Sequence, residues 1–250
     1  YKELYKSGQR EKQNGFVVFL AAGKDPRVWL MFLVYGGCFG TELTMNNVLA
    51  AYFFDYFGLS LQEAGLAASL FGLMNLFARS LGGIASDLAS RRFGHRGRHW
   101  VWFATQLVEG IMLIAFSRIT SDLFGLAIFV LVCFSTAVQM AEGGEYAVVP
   151  YVGKHLKSLG PVSGIVGAGG NVGAVMWGFI YRGYANDPDP RTPFLIHGFC
   201  VLATAALIPF VHFQPLGSMF LPGTEAVDVE AVVDKDAGKD QVQVIAKSRS

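Results

Sequence analysis

The chain has 250 residues, of which 52% are hydrophobic and 16% charged; Lys and Arg number 20 against 19 Asp and Glu, a formal net charge of +1. Mean hydropathy is +0.40, whereas an ordinary soluble domain is less apolar and carries about 25% charged residues. The excess apolar surface must face lipid, and so even a charge balance gives no basic footprint for a nucleic-acid partner.

Residues 1–27 are polar and basic, without an initiator Met or a signal-peptide pattern, so the chain is expected to begin partway through a longer one. Six segments then reach the length of about 20 apolar residues that crosses a bilayer: Val28 to Phe54, Ala64 to Ala85, Trp100 to Phe116, Leu123 to Val149, Val162 to Tyr181 and Phe194 to Phe213. They are apolar nearly all round, where the helices of a soluble bundle would each show a polar stripe. The fold expected is an all-α membrane protein, a six-transmembrane-helix bundle over residues 28–213. Cys38, Cys133 and Cys200 lie in separate apolar runs without metal-ligand spacing and read as small core residues.

Loop charge sets the orientation. Arg91, Arg92, Arg96 and Arg98 lie between the second and third spans and Lys154 and Lys157 between the fourth and fifth; the opposite loops hold Arg118, Arg182 and Arg191. The positive-inside rule puts the arginine-rich loop, the lysine loop and both termini in the cytoplasm. Residues 214–250 alternate Asp, Glu, Lys and small residues and read as a solvated, largely disordered cytoplasmic tail.

Two stretches carry specific patterns. Gly82-Gly83-Ile84-Ala85-Ser86-Asp87-Leu88-Ala89-Ser90-Arg91-Arg92 puts a glycine pair before an acid and a basic turn, a pattern suited to a hydrogen-bonded latch between neighbouring helices, with Gly83, Asp87, Arg91 and Arg92 as its parts. Ser163-Gly164-Ile165-Val166-Gly167-Ala168-Gly169-Gly170-Asn171-Val172-Gly173-Ala174 places Gly164, Gly167 or Ala168, Asn171, Ala174 and Gly178 on one helical face at steps of three and four. Such a face is either a packing surface or one wall of a cavity with a single carboxamide. No nucleophile constellation, metal cluster or phosphate loop is present, so neither enzymatic chemistry nor a cofactor is indicated.

The first stretch resembles the loop motif of the major facilitator superfamily, whose members have twelve helices in two six-helix halves. The second resembles the signature of the nitrate/nitrite porter family. The stretches Tyr35 to Thr44, Asn75 to Arg79 and Glu142 to Pro150 are likewise similar to eukaryotic high-affinity nitrate transporters, and the likeness runs from Val28 to Phe213. It implies that residues 28–213 are helices seven to twelve, the C-terminal half, with residues 1–27 the end of a central cytoplasmic loop. It also implies proton-coupled nitrate uptake by alternating access, in the plasma membrane, with nitrate or nitrite, protons, the bilayer, the missing N-terminal half and an accessory membrane subunit as partners. Transport of another small anion, nitrate/nitrite exchange and non-transporting anion sensing are the alternatives.

An arginine inside a spanning helix costs from about 2.5 to more than 10 kcal/mol and needs a partner. Ala68, Gly72, Asn75, Arg79 and Gly83 step by four, three, four and four and form a small, polar stripe. The planar guanidinium fork can meet two oxygens of planar nitrate at once, and the resemblance implies that Arg79 is the anion-binding arginine. The alternative is a structural ion pair with Glu42, Glu109 or Glu142. Tyr35, Phe39, Glu42 and Asn46 form a second inward stripe, in which Tyr35 matches the family's aromatic residue beside the anion. Asn75, Asn171, Gly167 and Gly170 complete the expected substrate-binding set. Glu42 and Glu142 are the expected proton-coupling or gating residues; for Glu42 the alternative is a salt bridge or a position close to the extracellular surface, and Glu142 is the acid of the fourth span expected to be buried, ahead of Gln139 and Glu145. His197 reads as a hydrogen-bonded packing residue.

Overall fold

The computed structural model describes residues 15–152, 159–213, 216–221, 227–233 and 242–248. Lys154 and Lys157, the two closing residues Arg249 and Ser250, and most of the polar start lie outside the described residues. A short helix α1 (Gly15–Gly23) precedes the spans. Helix α2 (Pro26–Phe57) begins where Asp25 accepts the Arg27 N–H at 2.9 Å with Pro26 in the first turn, and ends at Gly58, whose φ of 66° needs no Cβ. Helix α3 (Leu61–Leu73) opens on a Ser60–Glu63 capping box. The remaining helices are α4 (Ala78–Phe93), α5 (His95–Phe116), α6 (Phe124–Tyr146), α7 (Leu159–Gly183) and α8 (Thr192–Ala205).

Among the described residues, six stretches are long and apolar enough to cross a membrane: Pro26–Phe57, Leu61–Phe93, His95–Phe116, Ser121–Tyr151, Leu159–Gly183 and Thr192–Phe210. They contain the six expected spans, apart from the last three residues of the sixth, and most run several residues further. The second is not one helix. A 3₁₀ turn at Met74–Leu76 separates α3 from α4, with Phe77 at φ −136°. Neither proline nor glycine marks the break; it falls where Asn75 turns toward α2.

The bundle reverses the usual arrangement of a soluble protein. Leu66, Leu76, Phe129 and Phe179 are exposed on the outside, while Gln106, Glu109, Gln139, Glu142 and Glu145 are fully buried. Small residues bring the helices together in pairs. A Cβ on Gly40 would sit 2.9 Å from the backbone of Gly173 and Ala174, and one on Gly169 would strike the Phe32 carbonyl. Trp177 Nε1 donates to the Gly36 carbonyl at 2.7 Å across the same α2–α7 contact. Gly82 faces the Met140 backbone, Gly143 faces the Arg79 carbonyl, and Gly110 and Gly198 each meet the other's carbonyl at 3.2 Å.

The tail differs from the sequence expectation. Two strands, β1 (Val227–Val233) and β2 (Val242–Ser248), pair antiparallel with Asp228 opposite Lys247 and Val233 opposite Val242. The composition of the tail hid the alternation of Val with polar residues that suits a strand.

Candidate functional site

Arg79 sits one residue into α4, immediately after the helix break, and the break and the glycine contact with α6 together fix its position. Its Nη2 lies 2.8 Å from Glu42 Oε2 on α2, 3.4 Å from Gln139 Oε1 on α6, and in an ion pair with Glu142 Oε2, also on α6. Glu42 Oε1 accepts from Asn75 Nδ2 at 2.8 Å. Three helices thus converge on one nitrogen. The Glu142 side chain is fully buried and that of Glu42 is 7% exposed, while Arg79 keeps 38% of its surface open. All these contacts run through Nη2; Arg79 Nε finds no partner among the described residues. One guanidinium against two carboxylates leaves the group at net −1 when both acids are ionised, and a single proton makes it neutral.

Aromatic rings form the floor. The guanidinium lies over Phe39 at 5.7 Å, Phe39 stacks on Tyr35 at 5.3 Å, and Tyr35 meets Tyr146 edge-on at 5.1 Å. A Cβ at Gly170 would run into the Phe39 ring and one at Gly167 would lie 3.2 Å from the Tyr146 hydroxyl. The structure therefore gathers Arg79, Glu42, Glu142, Asn75 and Tyr35, and sets Gly167 and Gly170 behind their aromatic neighbours.

Several expected placements need correction. Asn171 is exposed, on a face of α7 turned away from the Gly169 and Gly173 contact, and is not brought to Arg79 within this half. Gly164 and Gly178, on that same open face, have nothing within 4 Å of an added Cβ. The glycine-rich run has two faces, and the one that packs on α2 is the face without the asparagine. In the loop motif, Arg91 and Arg92 are exposed and Arg92 lies over the Phe93 ring; Asp87 instead takes Arg98 Nη1 at 2.6 Å. The chain reverses at Gly94, so the arginine on the next helix, rather than the one on the same helix, comes back to the acid. An added Cβ would strike α6 at Gly82, against the Met140 backbone, whereas one at Gly83 would meet nothing within 4 Å. Glu145 and Gln139 are buried as completely as Glu142. Tyr146 and Gln139 were missed as site residues. His197 is bonded as expected, its Nε2 3.0 Å from Thr41 Oγ1 and its Nδ1 3.3 Å from Tyr181 Oη.

Six spanning helices enclosing a charged, small-residue-lined site define an integral membrane bundle built around an internal polar centre. No family model matches the chain. Among curated proteins it is 42% identical over 231 residues to the high affinity nitrate transporter 2.5 of Arabidopsis thaliana, covering 92% of this chain and 45% of that protein. It is 38% identical over 238 residues to nitrate transporter 2.2 of Chlamydomonas reinhardtii, with the same two shares. It is also 37% identical over 184 residues to the elsinochrome transporter 1 of Elsinoe fawcettii, covering 68% of this chain and 34% of that protein. The chain belongs to the nitrate/nitrite porter family of the major facilitator superfamily, as a C-terminal half. It spans about half the length of the curated relatives it matches.

Proposed function

We propose that the chain is the C-terminal half of a nitrate transporter of the plasma membrane that couples uptake to protons, with Arg79 as its anion ligand. The observation that carries this is the pairing of a single guanidinium with two carboxylates, Glu42 and Glu142, over an aromatic floor and beside a partly open surface. In this state the acids occupy the nitrogen that an anion would need. Protonating one of them removes its hold on Nη2, and the planar fork is then free to take two oxygens of nitrate. Phe39 and Tyr35 close the site from below. Asn75 keeps its bond to Glu42 and so reports the protonation of that acid to the helix break.

Proton and anion binding are linked because both compete for the same ion pairs, so proton entry and nitrate entry favour each other. The inward proton offsets the anion's charge, which otherwise works against a membrane potential worth about 2.3 kcal/mol per charge per 100 mV. Asn171 and the open small-residue face of α7 point to the other half of the protein, against which this bundle rocks in alternating access. The resemblance also brings an accessory membrane subunit.

The test is uptake of labelled nitrate into cells expressing this segment alone, and expressing it together with the remaining half as a separate chain. Uptake that needs both halves and rises with an inward proton gradient is the expected result. Nitrate uptake by the segment alone, or uptake indifferent to the gradient, contradicts the reading.

A further inference from the structure

Helix α1 is apolar and nine residues long. At about 1.5 Å per residue it is too short to cross the hydrocarbon core. Val17, Phe19 and Leu20 are exposed along it, and only Ala22 is buried. Trp29, in the first turn of α2, turns back to donate from Nε1 to the Gly23 carbonyl at 2.8 Å, and the exposed Leu33 follows it one turn later on the same face. A short apolar helix held by an interfacial tryptophan lies in the plane of the membrane surface. Loop charge puts this end of the bundle on the cytoplasmic side.

Where α1 joins α2 there is an open cavity of about 610 Å³, lined by Ala21, Lys24, Asp25, Arg27, Phe210 and His212 among others. Its one acid is already neutralised: Arg27 Nε donates to Asp25 Oδ1 at 2.9 Å and to Oδ2 at 3.1 Å, and Arg27 Nη2 also holds Oδ2. That pairing uses one edge of the guanidinium, and Nη1 has no bond among the described residues. The Lys24 ammonium is exposed and has no ion-pair partner among the described residues. The cavity therefore offers a free ammonium, a free guanidinium edge and an imidazole, with the largely exposed Phe210 ring beside them. In the sequence just before α1, Lys2, Lys6, Arg10 and Lys12 outnumber Glu3 and Glu11. Excess positive charge next to an interfacial apolar helix is complementary to the anionic cytoplasmic leaflet.

We propose that this cavity, between α1, the start of α2 and the turn after α8, holds the headgroup phosphate of an anionic phospholipid of the cytoplasmic leaflet. Lys24 and the Nη1 edge of Arg27 donate to the phosphate oxygens, and Phe210 meets the glycerol end of the acyl chains. A free phosphate ion would satisfy the same donors, but it would leave Phe210 and the apolar side of α1 against water. That apolar surface is what commits the site to a lipid. The inference stands on this end of the bundle alone and does not depend on what the Arg79 site carries.

The experiment uses the full-length protein, both halves together, in vesicles of equal phosphatidylcholine and phosphatidylserine. After extraction into detergent, the phospholipid that stays bound is identified by native mass spectrometry. The parent protein should retain phosphatidylserine in preference to phosphatidylcholine. Lys24→Gln should lower phosphatidylserine retention by about fivefold, and Lys24→Arg should keep it within about twofold of the parent. Ala21→Trp fills the cavity with every charge left in place and should lower retention as far as Lys24→Gln does. Lys24 and Ala21 are both exposed, so neither substitution disturbs the core. Arg91→Gln removes an exposed charge on the same side of the membrane but outside the cavity, and should stay within about twofold. Equal losses from Arg91→Gln and Lys24→Gln would mean a diffuse surface potential and overturn the proposal, as would a parent protein without preference for phosphatidylserine. Inorganic phosphate or glycerophosphoserine, added at the concentration of the lipid, should displace nothing; displacement by either would make this a site for soluble phosphate and overturn the assignment to lipid.

Discussion

Replacing Gly143 by Ala adds one methyl group where α6 meets α4. That methyl would strike the Arg79 carbonyl oxygen and lie 3.0 Å from the Arg79 carbonyl carbon and 3.1 Å from Gly83 N. All three are backbone atoms, so no side chain can swing aside and α4 must retreat by about 1 Å in a close-packed interior. Overpacking of this kind costs about 1–3 kcal/mol. The retreat acts on the peptide that carries Arg79, which moves away from Glu142 on the helix that pushes it. A displacement of about 1 Å in a positioned group is worth up to about 10²-fold in rate. Gly83→Ala is the control, because a Cβ there has nothing within 4 Å; it should stay within about 0.5 kcal/mol of the parent. The assay is thermal unfolding of the purified full-length protein together with initial rates of labelled nitrate uptake. A Gly143→Ala protein as stable and as active as Gly83→Ala refutes the reasoning.

Gly170→Leu should reduce nitrate uptake by more than about tenfold, because the side chain displaces Phe39 from beneath Arg79, whereas Val172→Leu, at a position 45% exposed, should remain within about twofold; equal effects in the uptake assay would mean that α7 is turned differently. Asp25→Ala should lower stability by about 1 kcal/mol at pH 7 through loss of the α2 cap. Hydrogen bonds from the Arg27 side chain hold the Asp25 carboxyl below its ordinary value. Its contribution is therefore complete above the unfolded value of about 3.9 and is lost as pH falls through the lower folded value. Melting curves of parent and variant should converge only in acid below that range; a gap that instead widened in acid would contradict the assignment.

The six spans were legible because lipid-facing helices are apolar on all sides, and run length alone identifies them. What run length cannot give is rotation about the helix axis. The sequence offered Glu42, Glu109 and Glu142 as partners for Arg79; two of them reach it, while Glu109 is buried on α5 with neither oxygen hydrogen-bonded among the described residues. The same limit explains the glycine run, in which Gly169 and Gly173 pack on α2 while Asn171 looks outward. The break at Met74–Leu76 has no sequence mark, since Met, Asn and Leu are all compatible with a helix, and it shows only once Asn75 is seen bonded to Glu42. Arg98 was passed over for Asp87 because the turn at Gly94, with φ of 64°, folds the next helix back onto it.

The most direct test of the anion site is Arg79→Lys in the full-length protein, with surface expression checked. Lysine keeps the positive charge and can still pair with Glu42 and Glu142, but it offers a point charge in place of the planar fork. The account predicts that labelled nitrate uptake falls by about 100-fold or more while the protein still folds and reaches the membrane. Uptake by Arg79→Lys at near the parental rate would contradict the claim that Arg79 holds the anion.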